Sequence, residues 1–177
     1  MEIKTFYTKE KSDYELLDTG GGEKLEKFGK YTFVRPYEDA VWVKTLNDKE
    51  WGNVDGKFFT SKKGAKNGWK IKDKIENKWE MEYKGIKFYA SPTPFRHLSF
   101  FPEQASHWDF IEEKIKQAVK NEKNFAALPG SGSGHGQNFP HSSRLKFLNL
   151  FGYTGVASLF ALRAGAEVTH LDASKQS

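Results

Sequence analysis

The sequence predicts an α+β protein in which an N-terminal antiparallel β domain precedes the first βαβ unit of an open α/β sheet. Two observations support this prediction. Residues 1–90 alternate short β-like runs with glycine turns, whereas residues 145–174 follow the order strand, glycine turn, helix, strand and acid. We therefore predict two domains, residues 1–94 and residues 95–177, with the second domain only begun at the end of the chain.

The N-terminal domain is predicted from its β-like runs. Residues 30–35 and 40–44 are strand candidates, and residues 51–74 are rich in glycine and lysine, which favours loops or edge strands. Residues 79–83 and 86–90 alternate apolar and polar side chains across a Lys-Gly pair. That pattern indicates a β-hairpin.

The second domain is predicted to open with a helix over residues 102–121, because proline is favoured in the first turn. Apolar residues recur along it at i, i+3, i+7 and i+11, which is an amphipathic stripe formed by Trp108, Ile111, Ile115 and Val119. Residues 129–143, PGSGSGHGQNFPHSS, are low in complexity and predict a surface loop.

A βαβ unit is predicted after that loop. Residues 145–151 are largely apolar, which is typical of a strand buried on both faces of a parallel sheet. A glycine turn precedes a helix over 155–164, Gly165 is expected to end that helix in a left-handed conformation, and a second strand covers 167–172.

Asp172 lies at the carboxyl end of the second strand, twenty residues after Gly152. This spacing places a carboxylate beside the first turn, where it can accept hydrogen bonds from both hydroxyls of a ribose. A plain βαβ unit with an exposed aspartate that caps the next helix is the alternative. A nicotinamide site is a further alternative, although the turn holds Gly152 and Gly155 rather than the three glycines of G-x-G-x-x-G.

Composition narrows the class of protein further. The net charge is +5, which suits an anionic partner such as RNA, although scattered lysines on an ordinary solvated surface would give the same value. There is no cysteine, so these residues hold no disulfide, thiolate metal site or cysteine nucleophile.

A polar N-terminal stretch and the lack of an apolar run of about 20 residues predict a cytoplasmic protein without a membrane span.

At the βαβ unit the chain resembles the class I S-adenosylmethionine (SAM)-dependent methyltransferases, whose sheet is Rossmann-like. Residues 148–155, LNLFGYTG, resemble the NLF-x-YTG motif of the branch related to 23S ribosomal RNA cytosine-C5 methyltransferases. Residues 165–175, GAEVTHLDASK, are similar to the second-strand motif of that branch, and FFPEQ at 100–104 resembles its segment before the sheet. The resemblance covers nearly the whole chain apart from the glycine- and serine-rich loop.

The resemblance implies SAM as cofactor and RNA, ribosomal RNA in particular, as partner. Asp172 would bind the ribose diol, and Phe101 and Gln104 would cover the cofactor from outside the sheet. The full set of implied cofactor-binding residues is Asn149, Phe151, Tyr153, Thr154, Gly155, Asp172, Ala173, Ser174, Phe101 and Gln104. Phe151 and Tyr153 have an alternative interpretation as core aromatics, and Gln104 as an ordinary residue of a first helical turn.

The chain also departs from the family pattern. Only the first two of seven expected strands are present, the Asp-Pro-Pro motif is absent, and no cysteine is available for covalent attack on cytosine C6. We therefore assign no catalytic residue and expect a methyltransferase fragment that is inactive alone and completed by a C-terminal polypeptide. A non-enzymatic RNA-binding module is the alternative function.

Overall fold

The computed structural model of the protein describes residues 12–60, 67–126 and 145–173. The chain divides into two compact units. The first, called the β unit below, ends at Pro102, and the second, called the α/β unit, begins at Glu103. The predicted domain boundary between residues 94 and 95 falls inside the β unit. The predicted loop at 129–143 lies outside the described residues.

Five strands of the β unit form one sheet in sequence order. They are β1 (Tyr14–Gly20), β2 (Glu23–Phe28), β3 (Tyr31–Pro36), β4 (Gly56–Phe59) and β5 (Gly68–Ile71). Neighbours run antiparallel except β3 and β4, which are parallel. The prediction of an antiparallel domain is wrong at this point, because the connection between these two strands includes a short helix and returns the chain in the same direction.

That helix, α1 (Asp48–Gly52), was not predicted. It begins with a capping box, in which the Asn47 side chain accepts from the Glu50 backbone N–H and the Glu50 carboxylate accepts from the Asn47 N–H. Trp51 is buried against Leu25 and Val34 of the sheet. The helix is therefore fixed by its cap and by one apolar anchor.

Residues 40–44 form an irregular loop, so the strand predicted there is wrong. The Gly21 and Gly22 N–H groups donate to the carbonyls of Trp42 and Ala40, each at 2.8 Å. These bonds satisfy the loop carbonyls locally and leave Val41 and Val43 more than four-fifths exposed. The hydrogen bonds from Gly21 and Gly22, rather than the β propensity of Val41 and Val43, therefore determine the conformation of this segment.

The predicted hairpin is present as β6 (Trp79–Tyr83) and β7 (Ile86–Ala90). Lys84 and Gly85 form its turn with φ values of 50° and 76°. Positive φ at both central residues defines a type I′ turn, whose twist matches that of the paired strands.

The core of the β unit is aromatic. Phe28 and Phe33 are fully buried, Phe33 stacks on Trp79 with ring centroids 5.6 Å apart, and Phe28 meets Phe100 edge-on. A buried ion pair lies beside them: Arg35 donates to both carboxylate oxygens of Glu26, each at 2.6 Å. A bidentate pair of this kind satisfies the charge of a fully buried glutamate.

The α/β unit contains one βαβ motif and a preceding helix. A 3₁₀ turn (Pro102–Gln104) leads into α2 (Ala105–Ala126), followed by β8 (Lys146–Asn149), α3 (Val156–Arg163) and β9 (Glu167–His170). β8 and β9 pair in parallel. Each of these elements overlaps its predicted range, although α2 begins after one 3₁₀ turn and continues to Ala126, and both strands end sooner than expected.

The predicted stripe on α2 packs against α3 and the two strands. Ile115 belongs to a buried cluster with Ala161, Ala164 and Ala166, and Ile111 and Val119 pack against it. The Trp108 ring stacks on Phe160 at 5.6 Å. This cluster fixes α3, and with it the turn that precedes α3.

β8 is not buried on both faces as predicted. Phe147 is half-buried and packs against the cluster, whereas Leu148 and Leu150 are each 55% exposed. The described helices of this unit contact one face of the two-stranded sheet, and the other face keeps its apolar side chains in contact with solvent.

Candidate functional site

The turn between β8 and α3 has an unusual backbone. Tyr153 has a φ of 45° and Gly155 a φ of 88°, so the chain enters the left-handed region twice within three residues. Gly155 is the N-cap of α3, and its N–H donates to the Gly152 carbonyl at 2.8 Å. A bulky residue such as tyrosine rarely adopts positive φ, and such conformations concentrate at ligand-binding turns.

Gly152 is required for space rather than for conformation. A Cβ at this position would lie 2.2 Å from Cε1 of the His170 ring. The Gly152 N–H donates to the Leu171 carbonyl at 2.9 Å, which extends the β8–β9 pairing past the end of β8. The turn therefore packs directly against β9.

Asp172 and the turn are in direct contact. The Tyr153 backbone N–H donates to Oδ2 of Asp172 at 2.7 Å, and the aspartate is half-buried. The spacing of twenty residues in the sequence led us to expect a carboxylate beside this turn, and the described geometry places one there. An acceptor therefore lies at the carboxyl end of β9, at the edge where open α/β sheets bind ligands.

Three polar side chains next to the turn are connected by hydrogen bonds, which the sequence analysis did not predict. The Asn149 amide donates to Ser158 Oγ at 3.0 Å, and Ser158 Oγ lies 3.0 Å from Nδ1 of His170. Ser158 is 6% exposed. The sequence carried a weak signal for this role, since Ser158 is the one uncharged polar residue of α3.

The other predicted residues at the turn and after β9 differ in exposure. Phe151 is 90% exposed, so its interpretation as a core aromatic is wrong. Tyr153 is half-buried, while Thr154 and Ala173 are exposed. Ser174 lies outside the described residues.

The two residues expected to cover the cofactor precede α2 in the sequence. Gln104 is in the 3₁₀ turn, with its Oε1 2.6 Å from Nδ1 of His107, which agrees with a local role in a first helical turn. Phe101 belongs to the β unit, is 38% exposed and contacts the ring of His97 at 5.1 Å.

The groups at the turn are of the kinds that bind an adenosyl moiety. A carboxylate accepts from a vicinal diol, and the exposed Phe151 ring offers apolar contact. Across the described ranges there is no cluster of three metal-ligating side chains. Within the same ranges, every helix is too short or too polar to cross a membrane.

Comparison with solved structures identifies relatives of this fold. The SAM-dependent methyltransferase from Agrobacterium tumefaciens is 37% identical with a TM-score of 0.72, over 93% of this chain and 45% of that one. A candidate SAM-dependent methyltransferase from Streptococcus mutans and SMU.776, a candidate methyltransferase in complex with S-adenosylhomocysteine (SAH), are each 16% identical with TM-scores of 0.55. These two cover 94% of this chain and 40% of their own, and they show the fold alone.

No protein-family model and no curated protein matches the chain. The chain spans less than half the length of the solved structures it resembles. Over that span its mixed sheets and few helices have the fold of SAM-dependent methyltransferases.

Proposed function

We propose that this chain forms the adenosyl-binding half of a SAM-dependent methyltransferase that acts on RNA. The observation that supports the proposal most strongly is the 2.7 Å hydrogen bond from the Tyr153 N–H to Asp172, which joins the turn and the carboxylate into one site. The similarity to the Agrobacterium enzyme over 93% of this chain favours SAM over a nicotinamide cofactor.

Several of the predicted site residues have separate parts in this proposal. Asp172 accepts from the ribose hydroxyls, and the N–H of Tyr153 fixes the orientation of its carboxylate. Asn149 is held by Ser158 and lines the methionine side together with Phe151. Ala173 lies next in sequence and would flank the adenine. SAM would supply an electrophilic methyl group on sulfur.

RNA is proposed as the substrate because of charge and resemblance. The net charge of +5 favours a polyanion, and the motifs at 148–155 and 165–175 resemble the branch related to ribosomal RNA methyltransferases. Because the chain contains no cysteine, these residues do not provide the thiolate for covalent attack on cytosine. The cytoplasmic location stays a prediction.

We also propose that turnover requires more than these residues. The match covers 45% of the Agrobacterium chain, so the substrate pocket would depend on residues equivalent to the rest of that chain. Those residues would lie in a further part of the same protein or in a second polypeptide. Without them, methyl transfer should be slow or undetectable.

Calorimetry and a methyl-transfer assay test the proposal. We expect SAH to bind more tightly than NAD, we expect Asp172→Ala to weaken SAH binding, and we expect no robust methylation of ribosomal RNA by the chain alone. Tighter binding of NAD would contradict the cofactor assignment. Robust turnover by the chain alone would contradict the need for further residues.

A non-enzymatic RNA-binding module is the second candidate, and exposed aromatic side chains in the basic β unit favour it. Salt-dependent RNA binding that Asp172→Ala leaves unchanged, together with no binding of SAH, would favour this candidate over the first.

A further inference from the structure

Three aromatic rings lie in a row near the end of the β unit. Phe95 stacks on His97, with centroids 5.7 Å apart and planes 24° apart, and His97 contacts Phe101 at 5.1 Å. Phe95 is 58% exposed, which is more than a core aromatic shows. We call these three residues the aromatic platform.

The loop that carries the platform is anchored from two sides. The indole N–H of Trp69 on β5 donates to the carbonyls of Thr93 and Phe95, each at 2.9 Å. Arg35 on β3 donates to the Arg96 carbonyl at 3.1 Å. These bonds hold the backbone of the loop without using the Phe95 ring, which stays available for stacking.

Thr93 strengthens the loop from within. Its Oγ1 donates to the His97 carbonyl at 2.9 Å and accepts from the Phe95 N–H at 3.2 Å. Burial lowers the pKa of His97, and the charge of Arg35 lowers it further, which favours the uncharged imidazole. A neutral ring on a rigid loop is well suited to stacking.

The surroundings of the platform are basic. Arg96 lies between Phe95 and His97 in sequence and is exposed. The Trp69 bonds place the loop beside the edge strand β5, whose exposed Lys70 is followed by exposed Lys72. Aromatic faces next to cationic side chains bind single-stranded nucleic acid, because bases stack on the rings while phosphates pair with the cations.

We propose that Phe95 stacks on an unpaired base of single-stranded RNA and so extends the Phe95–His97–Phe101 row by a fourth ring, with Arg96 facing the phosphate backbone. The proposal rests on the proposed RNA substrate, and it does not depend on the cofactor site. It assigns substrate recognition to the β unit.

Fluorescence anisotropy of the full chain with a labelled oligouridylate tests this role. Phe95→Ala should weaken binding about tenfold, the effect typical of losing one base–aromatic stack. The matched control is Tyr89→Ala, which removes a 53% exposed ring on β7 and should leave the affinity unchanged. Because the Phe95 side chain makes none of the anchoring hydrogen bonds, the variant should keep the near-ultraviolet circular dichroism of the wild type.

An abasic oligonucleotide of the same length separates stacking from charge. Stacking predicts that wild type and Phe95→Ala bind the abasic strand equally, whereas Arg96→Ala weakens binding to both strands. An equal loss for Phe95→Ala on intact and abasic strands would overturn the proposal. So would no loss on either strand, or a Phe95→Ala effect on SAH binding alone. Loss of SAH binding in Asp172→Ala with RNA binding intact would leave the platform standing, so the two proposals fail separately.

Discussion

The backbone N–H of Tyr153 donates a 2.7 Å hydrogen bond to Oδ2 of Asp172. This bond connects the turn after β8 to the end of β9, two places separated by a whole helix in the sequence. It also holds Tyr153 in the left-handed region, at a φ of 45°, where a tyrosine needs such support. The turn and the carboxylate therefore depend on one another.

Gly152→Ala should disrupt the site through His170. The added Cβ would lie 2.2 Å from the imidazole, so either the ring or the turn must move. We expect a loss of about 1–3 kcal/mol in the free energy of unfolding, as for other overpacked sites, measured by urea denaturation. The double variant Gly152→Ala/His170→Ala should recover most of that loss. A double variant as unstable as the single one would show that the clash is not the cause.

Ser158→Ala should loosen the support of Asn149. The variant removes the hydroxyl that accepts from the Asn149 amide and bonds to His170. Two lost hydrogen bonds at a buried position should cost about 1–2 kcal/mol of stability. Thr169→Ala, at an exposed position of β9, is the control and should cost little. Equal effects of the two substitutions would argue against a special role for Ser158.

The contact between Glu112 and Arg163 should make the α/β unit sensitive to acid. Burial alone would raise the pKa of Glu112, but hydrogen bonds from Arg163 and Lys116 outweigh it and hold the pKa below the ordinary value of 4.5. A carboxylate of this kind contributes stability that is present above pH 4.5 and is lost as the pH falls through the lower folded-state pKa.

Arg163 donates to both carboxylate oxygens of Glu112, at 2.9 and 2.6 Å. Arg163→Met should therefore reduce the loss of stability at low pH, because Glu112 would no longer gain this partner on folding. Urea unfolding at a series of pH values measures this pH dependence of stability. Lys116→Met is the control and should change the pH dependence less, because Lys116 is 60% exposed. If the pH dependence of Arg163→Met matched that of the wild type, Glu112 would not be its source.

His97 should titrate below its ordinary pKa of 6.5. Burial and the nearby Arg35 disfavour the imidazolium, so folding contributes stability above pH 6.5 that declines as the pH falls toward the lower folded-state pKa. The Cε1 proton shift of His97, followed by NMR, measures this pKa. His97→Gln should remove the corresponding slope in stability. A measured pKa above 6.5 would contradict the described packing.

Local chemistry explains which parts of the fold could be predicted from the sequence. The hairpin follows from a Lys-Gly turn between alternating strands, and the proximity of Asp172 to the turn follows from the fixed length of a βα unit. The helix at Asp48–Gly52 had a usable signal in its Asn47–Glu50 capping box, which the glycine- and lysine-rich surroundings obscured.

Other features depend on contacts that no local pattern reveals. Residues 40–44 have the composition of a strand, yet bonds from Gly21 and Gly22 make them a loop. The requirement for Gly152 comes from His170 on the neighbouring strand. The burial of β8 was overestimated because an apolar run does not show which face of the strand will be covered.

An NMR titration of the isotope-labelled chain with SAH at millimolar concentration tests the adenosyl site most directly, since it detects weak binding and locates it. We predict that the amide signals of Tyr153, Thr154, Gly155 and Asp172 shift on addition of SAH and that these shifts saturate. In Asp172→Ala, we predict that SAH no longer shifts the signals of Tyr153, Thr154 and Gly155. Unchanged signals at these four residues, or shifts that persist in Asp172→Ala, would contradict the site.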